Sequence, residues 1–406
     1  MKYVDEFRDG KRAATLVEAI ASEVEPGRRY RFMEFCGGHT HAVFRYGVPD
    51  VLPEAIELIH GPGCPVCILP IGRLDMAIRL ATDHPEVILA SYGDMLRVPG
   101  RGRMSLLKAK AAGADVRMVY SVSDAVALAE ANPDREVVFL AIGFETTTPP
   151  TALGILDSRR KKLKNFSILC NHVLTPAAMG AILDVNGGED EASEDSEALA
   201  IDGFIGPSHV SVVIGSDAYR FCAERHHKPV VIAGFEPLDV LQSLLMLVRQ
   251  VNAGEAKVEN QYLRAVTPTG NQRAQAVVQE VFQRRKQYEW RGLGEIPDSA
   301  LELTPAYQDF DAERRFGLTY HPAQGTKGCA CPEILRGVMK PVECKLFATA
   351  CTPENPLGSC MVSDEGACAA YYTYGRFREA AEQAREQENE DRRMARAERR
   401  RRTAAS

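Results

Sequence analysis

The chain has 406 residues, 45% of them apolar and 26% charged, with a formal net charge of −6. That length exceeds what one hydrophobic core organises, and the composition excludes a disordered or fibrous chain. The negative balance argues against nucleic acid as the main partner, and no stretch approaches the eighteen apolar residues of a membrane helix.

The opening MKYVDEFRDGKR is charged where a signal peptide carries its apolar stretch, so a cytoplasmic location is expected. Residues 11–25 then place Ala14, Leu16, Val17, Ile20 and Val24 at helical spacing before the break at Pro26-Gly27. Short β-rich runs follow at Tyr30–Phe35, Ile56–Ile59, Val87–Ala90, Val116–Tyr120 and Val137–Ile142, with helical patterns near 71–83, 104–112 and 123–131. The rhythm repeats with strands expected at Phe166–Cys170, Ile201–Ile205, Val210–Ile214 and Val230–Ala233. Helices are expected near 149–160, 176–184, 216–226 and 237–252. Apolar strands alternating with helices point to α/β architecture: two similar, Rossmann-like parallel-sheet α/β domains. Their expected limits are 28–148 and 149–255. Residues 186–198, NGGEDEASEDSEA, read as a solvated acidic loop. A further helix is expected over 270–288, and the Gly- and Pro-rich stretch 291–328 leads into a third, cysteine-rich domain over 256–375, grouped with the helix of residues 1–27. The charged tail 376–406 reads as a solvated helix fraying into disorder.

Six of the eleven cysteines fall between Cys329 and Cys368. In a reducing compartment such density points to metal or redox chemistry rather than structural disulfides. Cys329-Ala-Cys331 is followed by Cys344, Cys351, Cys360 and Cys368, separated by twelve, six, eight and seven residues. Zinc ribbons use CxxC knuckles, which this module lacks, whereas four thiolates suit an iron–sulfur cluster. The two surplus thiols are then free to form a redox pair. Cys170 and Cys222 lie in apolar stretches, where a free thiol behaves as a small hydrophobe.

Three motifs follow strands, the position where open α/β sheets bind ligands. Cys36-Gly37-Gly38-His39-Thr40-His41 offers a thiol and two imidazoles beside glycines that allow close approach. Gly61-Pro62-Gly63-Cys64-Pro65-Val66-Cys67 carries a CxxC able to chelate a metal or cycle as a disulfide. Gly143-Phe144-Glu145-Thr146-Thr147 leads toward a helix start before Pro149. Pro207-Ser208-His209-Val210-Ser211 is a weaker candidate. Neither a GxxxxGK[ST] loop, nor a GxGxxG following a strand, nor a GxSxG elbow occurs, which removes support for nucleotide-dependent and serine-hydrolase chemistry.

CGGHTHA at 36–42, GPGCPVC at 61–67, GFETT at 143–147, PSHVSVVIG at 207–215 and CAC…CKLF…CTPENPLGSCMVSDEGAC at 329–368 together resemble the HypD family of [NiFe]-hydrogenase maturation scaffolds, in order over roughly residues 30–375. The resemblance implies two related α/β domains and a third carrying a [4Fe–4S] cluster. It also implies a HypC-type chaperone with which the Fe(CN)2CO group is assembled. A HypE-type protein would donate cyanide made by a HypF-type enzyme from carbamoyl phosphate, and the chaperone would link the scaffold to the hydrogenase large subunit. Carried across, Cys36 matches the cysteine that transiently holds iron bearing CN and CO, and Cys64 and Cys67 match the family's CxxC. Likeness to ferredoxin–thioredoxin reductase assigns Cys329, Cys344, Cys351 and Cys368 as cluster ligands and leaves Cys331 and Cys360 as the pair. His39, His41 and Glu145 are then candidates to orient the site or handle protons. The competing readings are a stand-alone iron–sulfur thiol–disulfide oxidoreductase and a zinc-stabilised binding protein.

Overall fold

The computed structural model describes residues 5–187 and 201–375. Beyond residue 187 the acidic loop expected at 186–198 lies outside the described residues, as does the tail. Among the described residues the strands run in chain order as β1 (Tyr30–Glu34), β2 (Ile56–His60), β3 (Val87–Ser91), β4 (Val116–Met118), β5 (Glu136–Gly143), β6 (Phe166–His172), β7 (Gly203–Gly206), β8 (Val230–Ile232), β9 (Val258–Asn260), β10 (Phe282–Trp290) and β11 (Gly294–Leu303).

The α/β class and the parallel sheets agree with the sequence, but the strands do not sort into sheets in chain order. One sheet has the order β2-β1-β7-β8-β9 and the other β4-β3-β5-β6, all neighbours parallel. The chain thus begins the first sheet, builds the second, and returns to complete the first. A boundary near 148 falls between β5 and β6, which pair from Val137↔Phe166 to Gly143↔His172. Adjacent βαβ units share a sheet only when register and face agree, and periodicity along the chain carries no information about which sheet a strand joins. Strands β3 and β6 are buried along their whole length, as expected for a sheet covered on both faces.

The amino-terminal helix Gly10–Glu23 is capped by Asp9, whose carboxylate accepts from the Lys11 and Arg12 amides. It does not join the cysteine module. Ile20 packs with Tyr30, Phe32, Val240, Leu244 and Val248, placing the helix beside helix Pro237–Asn252 on the outer face of the first sheet. Tyr30 Oη donates to Asn252 Oδ1 at 2.6 Å and Arg249 pairs with Glu23 at 2.8 Å across that seam.

Two further expectations are corrected. Residues Ser208–Ile214 form a helix, not a strand, despite their β-branched run. The place beside β7 belongs to β8, and joining parallel neighbours needs a crossover, so tertiary demand overrides local propensity. The helix expected over 270–288 stops at Val281 and continues as β10, which pairs antiparallel with β11. Between buried Phe282 and buried Tyr288 and Trp290 lies a largely exposed Gln-, Arg- and Lys-rich run, with a register shift between Arg285 and Gln287, and that run resembles helix. The hairpin lays Phe282, Leu301 and Leu303 on the second sheet beside Phe139, Phe166 and Ile168, so residues 256–375 are not one separate body. Cys170 and Cys222 are buried as expected.

The interleaving yields a direct test. A fragment ending at residue 148 strips β6 from β5 and β7 from β1. It is expected to lack a cooperative urea transition by circular dichroism, whereas a self-contained domain over 28–148 would unfold in one sharp step.

Candidate functional site

A cleft of about 630 Å3 opens where the carboxyl ends of the two sheets face each other. Its wall includes Cys36 after β1, Tyr92 to Asp94 after β3, Val119 after β4, Gly143 and Phe144 at the end of β5, and His209. Val362 to Glu365 of the cysteine module close one side. Arg97 clasps that side, its Nη1 donating to Pro353 O at 3.0 Å and its Nη2 to Val362 O at 2.9 Å.

Cys36 is the N-cap residue of helix Gly37–Arg45 and is buried at the cleft wall. Its loop is pressed against the GPGCPVC loop: Gly37 N donates to Gly63 O at 3.1 Å, and a Cβ on Gly63 would lie 2.4 Å from Cys36 N. Only glycine permits that approach. Beneath both loops lies Glu34, a fully buried carboxylate that the motif search missed. Its Oε2 accepts from Cys36 N at 3.1 Å, while Oε1 accepts from the Thr40 hydroxyl and lies 2.8 Å from His60 Nδ1. Burial pushes this carboxyl's pKa up, opposed by the His60, Thr40 and Cys36 hydrogen bonds. Glu365 sits over Gly37, where an added Cβ would meet its Cβ at 2.4 Å; burial raises its pKa too, with Asp94 and Glu34 adding repulsion. Burial, then the nearby Glu365, raises the Cys36 thiol. The signal available in sequence was a lone glutamate ending an apolar strand just before CGGHTH.

The other expected residues divide into two groups. Cys64 is the N-cap of the short helix Pro65–Ile68 and Cys67 lies within it, with Gly63, Pro65 and Val66 in the cleft wall. The thiols turn inward: Cys67 is electrostatically coupled to Cys64 and Cys360, and Cys360 to Cys331. Cys331 in turn meets Cys329 at 3.3 Å and Cys368. The hydrogen bonds from Cys331 and then Cys67 lower the Cys360 thiol to about 6, favouring its thiolate. Ser359 Oγ donates to Cys67 O at 2.9 Å and locks the two segments together. Cys329, Cys331, Cys344, Cys351 and Cys368 surround one small hollow walled by Ile334, Leu346, Phe347 and Met361. A Cβ on Gly358 would fall 2.4 Å from Cys331 Sγ and 2.6 Å from Cys329 Sγ. The five cysteines offer soft donors around one apolar hollow, although among the described residues no group of three or more His, Cys, Asp or Glu is arranged to hold a metal ion.

The imidazoles and Glu145 stand further off. His39 Nε2 lies 3.2 and 3.1 Å from Ala233 O and Gly234 O and 3.1 Å from Ser208 Oγ, and its ring packs on Phe235. Burial lowers it to about 4, so it is a neutral anchor for the glycine loop. His41 meets Tyr374 edge-on. His209, from the motif 207–211 that was the weaker candidate in sequence, lines the cleft. Glu145 is buried beside it, accepting from Thr175 N at 2.8 Å and Thr175 Oγ1 at 3.0 Å, and burial raises its pKa to about 7. A Cβ on the neighbouring Gly143, at φ 142°, would collide with Thr147 Oγ1 at 1.8 Å.

Glu145 makes stability depend on pH. Its proton is held more tightly folded (about 7) than at the ordinary 4.5, so stability is full below the lower value and falls as pH rises through the higher one. That difference corresponds to on the order of 3 kcal/mol. Glu145→Gln is expected to flatten the fall between pH 5 and pH 8 in urea titrations; equal slopes would contradict the assignment.

Comparison with known proteins shows the family. The family model "HypD: Hydrogenase formation hypA family" matches residues 11–375. A hydrogenase expression/formation protein HupD from Azotobacter chroococcum mcd 1 is 62% identical over 383 residues, covering 94% of this chain and 99% of its own. The hydrogenase maturation factor HypD of Cupriavidus necator is 59% identical over 93% of this chain and 98% of its own, and that of Escherichia coli K12 46% over 92% and 98%. The chain belongs to the HypD family of hydrogenase maturation factors.

Proposed function

We propose that this maturation factor is the scaffold on which, together with a HypC-type chaperone, the Fe(CN)2CO group is assembled. Iron is cargo here: the Cys36 thiolate and a chaperone cysteine hold it in the cleft, and a HypE-type protein brings cyanide to it. The surroundings suit that cargo. Glu34, Glu365 and Asp94 near Cys36 favour a cation, and a thiolate is a soft donor for low-spin iron.

Cys329, Cys344, Cys351 and Cys368 would hold a [4Fe–4S] cluster, leaving Cys331 and Cys360 as a redox pair. When bound, the cluster supplies single electrons at low potential. The observation that carries the reading is the continuous line of thiols Cys64, Cys67, Cys360 and Cys331, running from the cleft wall into the module. The Cys360 thiolate attacks a Cys64–Cys67 disulfide at Cys67 and displaces Cys64 as thiolate. Cys331 then attacks Cys360, releasing Cys67. Two electrons have moved outward, and the disulfide now lies between Cys331 and Cys360. A stand-alone oxidoreductase would use the same line but leave Cys36 and its cleft without a task.

Two outcomes are expected. Cys36→Ala abolishes hydrogenase maturation in cells that depend on this chain while iron and acid-labile sulfide in the purified protein stay at wild-type level; maturation that survives this change refutes the role. Cys331→Ser traps a Cys67–Cys360 mixed disulfide when the CxxC is oxidised, detectable as a cross-linked peptide by mass spectrometry. Its absence would break the proposed order of transfer.

A further inference from the structure

Where β5 and β6 begin, at the end of the second sheet opposite the cleft, lies a cavity of about 700 Å3. Its wall carries Arg159, Lys162 and Lys164 from the segment that leaves helix Thr148–Arg160, and Arg314 and Arg315 from helix Ala312–Arg315. Arg315 pins the two segments together: its Nη2 donates to Lys164 O, and its Nη1 to Phe166 O at 3.3 Å and to Glu136 Oε2 at 2.9 Å. Its charge is thereby answered. Arg159 stacks over the Tyr307 ring, 4.8 Å from the centroid. Lys162 stands at φ 58°, just past the helix end, a left-handed position that usually falls to glycine. Among the described residues, Lys162, Lys164 and Arg314 each lack a carboxylate within ion-pair distance, and the one acid in the wall is Asp309. Leu163, Phe166 and Phe310 complete the wall with apolar surface.

Cations at a helix carboxyl end complement the macrodipole, which accounts for Arg159. That effect fades within a turn and leaves Lys164 and Arg314 unexplained. In a chain of net charge −6, five cations against one carboxylate around a partly apolar hollow make a local positive field that draws anions. The chain has no GxxxxGK[ST] loop, so recognition here falls to side-chain charges rather than a glycine-rich backbone. The volume is that of a small-molecule site. An acidic peptide, which spaces its carboxylates along an extended backbone, calls for a longer groove. We propose that this cavity binds a small phosphate-bearing molecule, with Lys162, Lys164 and Arg314 holding the phosphate and Phe166 and Phe310 facing the organic part. The 13 residues of helix Thr148–Arg160, about 20 Å of rise, separate it from Thr147 in the cleft wall. It is a second site, independent of the chemistry proposed for Cys36.

The test uses the full chain, purified without oxygen, and inorganic pyrophosphate as probe, titrated calorimetrically at fixed ionic strength with no divalent cation added. One saturable site per chain is expected. Lys162→Gln combined with Arg314→Gln is expected to weaken it at least about tenfold, since each change removes a charge-assisted contact. Lys161→Gln stays within about twofold, because that neighbour lies outside the wall and its charge is answered by Glu130 and Asp157 at 3.0 Å each. Phenyl phosphate, whose ring can meet the apolar wall, is expected to bind more tightly than inorganic phosphate. No saturable heat, equal affinity for the double variant and wild type, or an equal loss in Lys161→Gln overturns the site. Sulfate binding as tightly as pyrophosphate marks an adventitious ion only and overturns it too. Hexaglutamate binding more tightly than pyrophosphate, or phenyl phosphate binding no better than phosphate, overturns the class of ligand. Should the double variant fail to fold, Lys164→Gln decides alone: it leaves the carbonyl that Arg315 grips in place, and an unchanged affinity overturns the proposal.

Discussion

Both amino-terminal cysteine loops are held by one buried carboxylate. Glu34 closes β1, receives the Cys36 amide, the Thr40 hydroxyl and the His60 ring on its side chain, and takes the Gly61 amide on its backbone carbonyl at 2.9 Å. Burying a carboxyl group is costly, and the donors around it offset that cost only while they stay in place. The loops are therefore fixed relative to each other before any ligand arrives. The glycines of both motifs follow from the same constraint: a Cβ on Gly61 would press on Glu34 O at 2.7 Å, and one on Gly63 on the Cys36 backbone. His60 carries the linkage outward, since its ring packs on Phe44 and Tyr371, and Tyr371 follows the last cysteine of the module.

This arrangement gives the cysteine module two distinct borders. On one, Val362 to Glu365 complete the cleft beside Cys36; on the other, Cys360 touches Cys67 beneath the wall. Cys331, Cys351, Cys360 and Cys368 belong to the same continuous core as Leu74, Leu89, Ile142 and Phe204, so the module is packed into the α/β body rather than appended to it.

Much of the site was legible because its chemistry lies in contiguous motifs: each cysteine, and the strands that aim Cys36 and Gly143, could be read from apolar runs ended by glycine. What could not be read were relations across the chain. Glu34 and Glu365 lie far apart in sequence and meet through Cys36 and Gly37, and neither carries a motif of its own. The β10–β11 hairpin was hidden by a bulge in a polar strand, and helix Ser208–Ile214 by its β-branched residues. Sheet membership was the largest omission. Local periodicity specifies that a strand exists, whereas its partners are chosen by burial and register with strands not adjacent in sequence. His39 illustrates the reverse case, a residue that looked reactive beside a cysteine and serves instead to tie the glycine loop to Ala233 and Gly234.

The return of the chain to its first sheet bears on how the protein is made. β1 pairs with β7, which leaves the ribosome about 170 residues later, a lag of roughly 10–30 s at usual elongation rates. Throughout that interval β1 lacks its inner neighbour, and the loops that carry Cys36, Cys64 and Cys67 lack the body they later pack against. The second sheet, whose strands are contiguous, closes first. Biogenesis of this chain is thus governed by a race between thiol capture and the arrival of β7, and a reducing, metal-buffered environment during translation is as much a requirement of the topology as of the finished site.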